Sequence, residues 1–393
     1  MFYALTCKYM KVYYLLFFLL SIISCNDKSL SKEAGTTTVV IDVDQAGEIV
    51  ISEYFNQVEY LLLSDEDHNR LVWPSKTVVQ NGKIFIQDIT MNSLFIFDTK
   101  GDLLNVIAGE GKGPGEFFQM DDFQIKNENI FIQDTYLSKI IEFDQDGNFV
   151  SEEKNFYNNT NFYKGENFTL YFLSFNPDYG GFNFIIDTDG KKEGYIAIKE
   201  GYEILNKRAL VNGFTSHPYT GHIYYPMPYT NEIVVFDNQG TYLKSVAFNF
   251  GKYHMDDMER LDGSTIVKRR TEELNLIGDI RSIFPFKEKH FISLSQGKNS
   301  SIYLFMDDNF NIIKIFKGFT NDLDGMHIRN IPWTYTEEKI FYRMRSTDFY
   351  NDYIKSFQGS RVEIKEGNVH DFFQKNKEDL KDDKYVMVGL KLK

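Results

Sequence analysis

Cysteine is almost missing from this chain. Its 393 residues hold two, Cys7 and Cys25, so they support neither a disulfide framework nor a cysteine-based metal site. Positive charge is also short: 43 Lys and Arg stand against 56 Asp and Glu, a formal net charge of −13. That balance repels nucleic-acid phosphates and offers no basic patch for docking on an anionic membrane. The histidines, His68, His217, His222, His254, His290, His327 and His370, are scattered. No pair of them has the His-Glu-x-x-His spacing of a helical zinc site. The Gly-x-Ser-x-Gly elbow of one large hydrolase class does not occur. No catalytic residue, metal or cofactor is expected from these absences.

Aromatic side chains are abundant, at 16% with 36 Phe and 25 Tyr. Wide rings pack well on a pleated, half-buried surface, so the composition favours strands. With 42% hydrophobic residues, the chain can fill a sizeable core.

The first 25 residues read as an address. Lys8 and Lys11 precede an apolar run from Val12 to Ile23, too short for a comfortable membrane span. Ile22-Ile23-Ser24-Cys25 follows and has the form of a bacterial lipobox. The expectation is a signal peptide over 1–24, a lipid on Cys25 as the attachment to membrane, and a flexible polar tether over 25–37. Met10 is an alternative start to Met1.

Beyond the tether the chain repeats itself. Ile84-Phe-Ile-Gln-Asp88 recurs as Ile130-Phe-Ile-Gln-Asp134, and Phe97-Asp98 with Gly101 recurs as Phe143-Asp144 with Gly147, all shifted by 46 residues. Weaker copies place turn aspartates at Asp187, Asp237 and Asp307, the last with Asn309 where glycine stood. Alternating apolar residues running into Asp-x-x-Gly make a strand and a tight turn. Repeats of ~40–50 residues suit four-stranded blades stacked around an axis. Five turns are visible, so a sixth blade must draw on both ends: Val58–Leu63 from one, Lys339–Met344 and Tyr385–Leu390 from the other. The expected fold is all-β, a six-bladed β-propeller over 38–393 with short helical insertions. A seventh blade is possible if the polar stretch Met255–Ile277 hides one.

The run Gly109-Glu-Gly-Lys-Gly-Pro-Gly-Glu-Phe117, with the lipobox and the two terminal strands, resembles the six-bladed β-propeller lipoproteins of Bacteroidetes. The resemblance covers about 38–393 and implies a propeller on an outer membrane, with no agreed activity.

The glycine run lacks the Gly-Lys-Ser/Thr ending of a phosphate loop and is expected to be a blade-to-blade connection. Asp144-Gln-Asp146-Gly and Asp187-Thr-Asp189-Gly lack the acidic twelfth residue of a calcium loop and are expected to be turns. Two patches remain as ligand-binding candidates. One is His217-Pro-Tyr-Thr-Gly-His-Ile-Tyr-Tyr-Pro-Met-Pro-Tyr229, whose Tyr224, Tyr225 and Tyr229 could stack on a sugar ring; core packing is the competing reading. The other is Trp333 with Tyr335, Arg343 and Arg345, where arginine could meet a carboxylate or pair with Asp348. The expected function is a non-enzymatic binding or scaffold module on the periplasmic or surface face of the outer membrane, taking a glycan, a peptide or a partner protein. The alternative is a hydrolase or lactonase in the central funnel.

Overall fold

The computed structural model describes residues 35–64, 70–157, 161–205, 213–262, 264–298, 300–328 and 332–393. The signal-peptide and lipobox residues, Cys25 among them, lie outside this set, as does His68. Three strands open the described chain: β1 (Thr36–Val40), β2 (Gly47–Val50) and β3 (Phe55–Leu63). β1 starts inside the stretch expected to be tether.

Blade 1 is β4 (Pro74–Gln80), β5 (Lys83–Asp88), β6 (Ser93–Asp98) and β7 (Leu103–Ala108). Blade 2 is β8 (Asp122–Lys126), β9 (Asn129–Asp134), β10 (Lys139–Phe143) and β11 (Phe149–Lys154). Blade 3 is β12 (Asn161–Lys164), β13 (Thr169–Phe172), β14 (Phe182–Thr188) and β15 (Lys191–Ala197). Blade 4 is β16 (Thr215–Ser216), β17 (Ile223–Pro226), β18 (Glu232–Phe236) and β19 (Tyr242–Asn249). Blade 5 is β20 (Ile277–Phe286), β21 (Lys289–Gln296), β22 (Ser300–Asp307) and β23 (Ile312–Thr320). Blade 6 joins β24 (Pro332–Tyr335), β25 (Lys339–Arg345) and β26 (Tyr385–Leu392) to β3.

The first strand of each blade is innermost. The turns after the first and third strands lie on one face, called lower. The turns after the second strand and the entries to each blade lie on the other, called upper. The ring closes as expected: β3 pairs antiparallel with β26, Val58 facing Leu390 and Leu63 facing Tyr385. This explains five aspartate turns for six blades. Each turn joins the third strand to the fourth, and in blade 6 those strands come from opposite ends of the chain.

β1 and β2 were not anticipated. They add in parallel to the outer edges of blades 4 and 5, Thr36 facing Ser245 and Ile49 facing Phe319. The opening segment is therefore a strap that covers the edges of blades 4 and 5 and supplies the outer strand of blade 6. Six hydrophobic clusters fill the seams between neighbouring blades.

The stretch between blades 4 and 5 folds as α1 (Asp257–Leu261) and α2 (Thr265–Glu273), an insertion and not a seventh blade. A second insertion, α3 (Ser346–Phe357) and α4 (Val369–Asn376), sits between β25 and β26. Phe349, Tyr353 and Phe373 are buried there against blade 6. Asn368 caps α4 by accepting from the amides of His370 and Asp371.

Four of the five aspartate turns share one geometry; in the other, Asp187 Oδ1 accepts from the Gly190 amide at 2.8 Å. Asp98 Oδ1 accepts from the amides of Lys100 and Asp102, at 2.8 and 2.9 Å. Asp144, Asp237 and Asp307 repeat that pair of bonds two and four residues on. Gly101, Gly147 and Gly240 hold the left-handed position. In blade 5 that position is Phe310, at φ +64°, and not Asn309, which corrects the register expected there. The Phe310 ring stacks on His290 at 4.9 Å, so burial of the ring offsets a backbone conformation costing ~1–3 kcal/mol.

Candidate functional site

Tyr224 and Tyr225 are core, which removes both from any ligand-facing surface. Strand alternation points them to opposite faces of blade 4, and a neighbouring blade buries each. Tyr224 meets the edge of His290 at 4.9 Å. Tyr225 packs on Phe214 and Phe172, and its hydroxyl donates to Asn161 Oδ1 at 2.9 Å.

Trp333, Arg343 and Arg345 staple blade 6 to blade 1. Trp333 Nε1 donates to the Ser75 carbonyl at 2.8 Å, and Arg343 reaches the Pro74 carbonyl. Arg345 donates to the Val72 carbonyl at 3.2 Å and to Asp383, not the anticipated Asp348, at 3.5 Å. The guanidinium of Arg343 lies over Trp333 and that of Arg345 over Tyr385, at 5.0 and 4.2 Å. Burial lowers the Arg343 pKa. These groups answer one another, and the patch reads as a closure seam.

Tyr229 differs. It is half-buried, stands at φ +58° on the upper turn of blade 4, and lines a cleft of about 350 Å³ beneath the α1–α2 insertion.

The axis is filled. Lys76 Nζ donates to Asp122 Oδ1 at 2.7 Å and to the Phe123 carbonyl at 2.6 Å, and a Cβ on Gly213, just before blade 4, would lie 3.8 Å from it. Tyr335 donates from its hydroxyl to the Ser216 carbonyl at 3.2 Å, and burial raises its pKa. Blade 1 thus reaches the entry of blade 4, and blade 6 reaches β16.

On the lower face, His217 and His290 are buried side by side, ring centroids 6.2 Å apart. His217 Nδ1 accepts from the amides of Tyr219 and Thr220, at 3.1 and 3.3 Å. That fixes its proton on Nε2, which faces Asp308 Oδ1 at 3.8 Å. His290 Nδ1 lies 3.2 Å from the Asp307 carbonyl and is its donor. Burial lowers both pKa values, His290 to about 4. A metal on His217 Nε2 would have to displace that proton. Among the described residues no group of three metal-ligating side chains assembles.

The upper face of blades 1 and 2 carries a feature the sequence reading missed. Asp88 Oδ2 accepts from the amides of Val72 and Trp73, at 2.6 and 2.8 Å, and Oδ1 from Met91 at 2.9 Å. Forty-six residues on, Asp134 Oδ2 accepts from Phe118 and Gln119, at 2.6 and 3.2 Å, and Oδ1 from Leu137 at 2.8 Å. Both carboxylates are wholly buried. The turns they clamp present Trp73 at 65% exposure, Ile89 at 60%, Phe118 at 51% and Tyr136 at 61%, with Val72 and Met91 beside them. Asn92 ties the two turns together, donating to the Phe118 carbonyl and accepting from the Met120 amide. Phe118 and Tyr136 stack at 4.5 Å, with Lys112 Nζ 5.7 Å from each ring. The signal lay in the repeat itself: the recurring Asp ends the second strand, where its carboxylate meets the entry loop.

The glycine run connects β7 to β8, as expected. Its amides are used internally: Gly113 N donates to Glu116 Oε2 at 2.8 Å and Gly115 N to Glu152 Oε2 at 3.3 Å.

The chain belongs to a 6-bladed beta-propeller family, whose model matches residues 28–343. No curated protein matches it in sequence. Among solved structures, an exported protein of Bacteroides fragilis superposes with a TM-score of 0.66 at 13% identity, over 91% of this chain and 99% of that one. A Bacteroides vulgatus protein gives 0.49 at 9% identity, over 86% and 97%. Virginiamycin B lyase of Staphylococcus aureus gives 0.40 at 11% identity, over 85% and 99%.

Proposed function

We propose that this chain is an exported lipoprotein, anchored to the outer membrane through Cys25, whose propeller binds a partner protein without catalysing a reaction. The supporting observation is the ledge on blades 1 and 2. Six large apolar side chains stand on turns whose backbone amides are held by Asp88 and Asp134. Exposed apolar patches on a soluble domain mark contact surfaces. A surface rigid before contact loses little entropy on binding. Aliphatic Ile89 and Met91 among the rings suit a protein surface better than a sugar. The segment 8–25 and the exported Bacteroides fragilis relative support the address.

Two experiments test the reading. Fatty-acid labelling should mark the wild type and not Cys25→Ala; label persisting on the variant overturns the anchor. A photo-crosslinking residue at position 73 should capture a discrete partner in intact cells, whereas one at Asn81 on the lower face should not. Adding Tyr136→Ala to the crosslinking chain should weaken capture by at least about tenfold, the effect of a binding hot spot, with melting unchanged. Equal capture from both faces overturns the ledge.

A further inference from the structure

We infer that the lower turn of blade 5 is an acid-released latch: the Phe310 ring closes the lower end of the seam between blades 4 and 5 by stacking on neutral His290, and a proton on His290 opens the turn. The latch is independent of the ledge and of the anchor.

This turn carries strain that its sisters do not. The other four aspartate turns place glycine at the left-handed position, Gly101, Gly147, Gly190 and Gly240, whereas blade 5 places Phe310 there at φ +64°. A bulky residue holds that conformation only where its surroundings impose it. The buried Phe310 ring lies nearly parallel to His290 at 4.9 Å, meets Tyr224 edge-on at 6.3 Å, and has Lys244 Nζ 5.4 Å from its centroid. His290 is also bonded to the turn itself. Its Nδ1 donates to the Asp307 carbonyl, which accepts from the Phe310 amide as well. Opening the turn relieves the backbone and gives up these contacts, so the closed form persists only while they are favourable.

The surroundings of His290 answer a positive charge poorly. Its ring is buried, and Nε2 makes no hydrogen bond among the described residues. The nearby Asp307 carboxylate is engaged by the amides of Asn309 and Asn311 and by the Asn311 side chain. Lys244 on β19 and His217 on the blade 4 turn also face His290. His217 differs, because its Nε2 faces Asp308 Oδ1 at 3.8 Å, with the Lys287 carbonyl, His222 and Glu288 around that pair. A proton on His217 therefore meets a facing carboxylate, whereas one on His290 meets an ammonium and a second imidazole. Burial holds His290 at about 4 against an ordinary 6.5. In the open turn the ring is in water and titrates at its ordinary value, so acid favours opening.

Hydrogen exchange on the full chain, read by mass spectrometry and referred to the unfolded chain at each pH, tests this. The turns of blades 2 and 5 close with the same bonds. The Gly147 and Phe310 amides donate to the carbonyls of Asp144 and Asp307, whose own amides donate to the carbonyls of Asn148 and Asn311. Between about pH 7 and pH 5, segment 305–312 should lose protection about twentyfold, the ratio set by values of about 4 closed and 6.5 open, while segment 142–149 should not change. His290→Gln should remove the loss. Phe310→Gly, which gives blade 5 the residue of its sister turns, should remove it too. Equal protection of 305–312 at the two pH values overturns the proposal. So does an equal loss in 142–149, which is general unfolding, or a loss that persists in either variant.

Discussion

Blades 1 and 2 hold themselves together by repetition, whereas blades 4 to 6 are held by segments from elsewhere in the chain. In the first pair the carboxylate clamp, the aspartate turn and the strand pattern recur at 46 residues. Among the described residues no strand pairs with the outer edges of β7 and β11, and β11 is exposed at every position. Its Ser-Glu-Glu-Lys stretch guards that edge with charge. In the second group β1 and β2 cover the outer edges of blades 4 and 5, β3 is the outer strand of blade 6, and two helical insertions occupy the upper face. Blades 4 and 5 keep the aspartate turn, at Asp237 and Asp307, without an equivalent of the Asp88 and Asp134 clamps among the described residues, and it is their edges that the strap covers.

The largest test of this contrast compares two phenylalanines on outer strands. Phe55 on β3 is buried in the seam of blades 5 and 6, near Phe305 at 6.2 Å. Phe149 on β11 is 45% exposed. Phe55→Ala should destabilise by ~3–5 kcal/mol, as a fully buried phenylalanine does, and Phe149→Ala by under about 1 kcal/mol. Denaturant titration reads both, and similar costs would erase the distinction between strapped and open blades.

The second test is pH dependence, which should come from the strapped half. His290 titrates near 4 when folded against an ordinary 6.5, because burial disfavours its charged form. The unfolded chain therefore binds a proton at higher pH than the native one. Stability from this group is complete above pH 6.5 and drains away as the pH falls toward 4, by on the order of 3 kcal/mol. His290→Gln should flatten the slope in that window. An unchanged slope would show that other groups carry it, His217 among them, since its pKa is lowered in the same sense.

The third test asks whether the two clamps are equivalent. Asp88→Ala and Asp134→Ala each leave three amides without their acceptor, which should cost about 2–3 kcal/mol apiece. Unfolding curves that place the two variants far apart would mean the repeat conserves sequence without conserving the interaction.

The reading from sequence succeeded where a structural unit is local and failed where partners are distant. The aspartate turns close within five residues, so their chemistry shows in a short window. The closure of blade 6 followed from counting turns. The parallel strands β1 and β2 gave no such cue. Thr36–Val40 and Gly47–Val50 are short, and parallel pairing has no connecting turn to read. Tyr224 and Tyr225 could not be placed by alternation because a blade is packed on both faces. The α3–α4 insertion did leave a trace in Phe349, Tyr353 and Phe357, one helical turn apart.

The smallest effect separates two glycines that look alike in the run 109–115. Gly115 stands at φ +75°, and a Cβ there would come within 2.9 Å of the Phe149 ring. Gly113 has no positive φ, and its Cβ would meet the Glu116 carboxylate, the mobile end of a side chain, at 3.1 Å. Gly115→Ala should therefore cost about 1–2 kcal/mol from the left-handed backbone, with the ring contact adding to it. Gly113→Ala should lie within about 0.5 kcal/mol of the wild type. Any cost at Gly113 would enter through Glu116, whose Oε2 takes the Gly113 amide, so Glu116→Ala should remove the difference. Melting curves of the three variants decide the matter. Equal losses at both glycines would mean that the loop needs freedom along its whole length, and blade 2 would then depend on its connection as blades 4 to 6 depend on the strap.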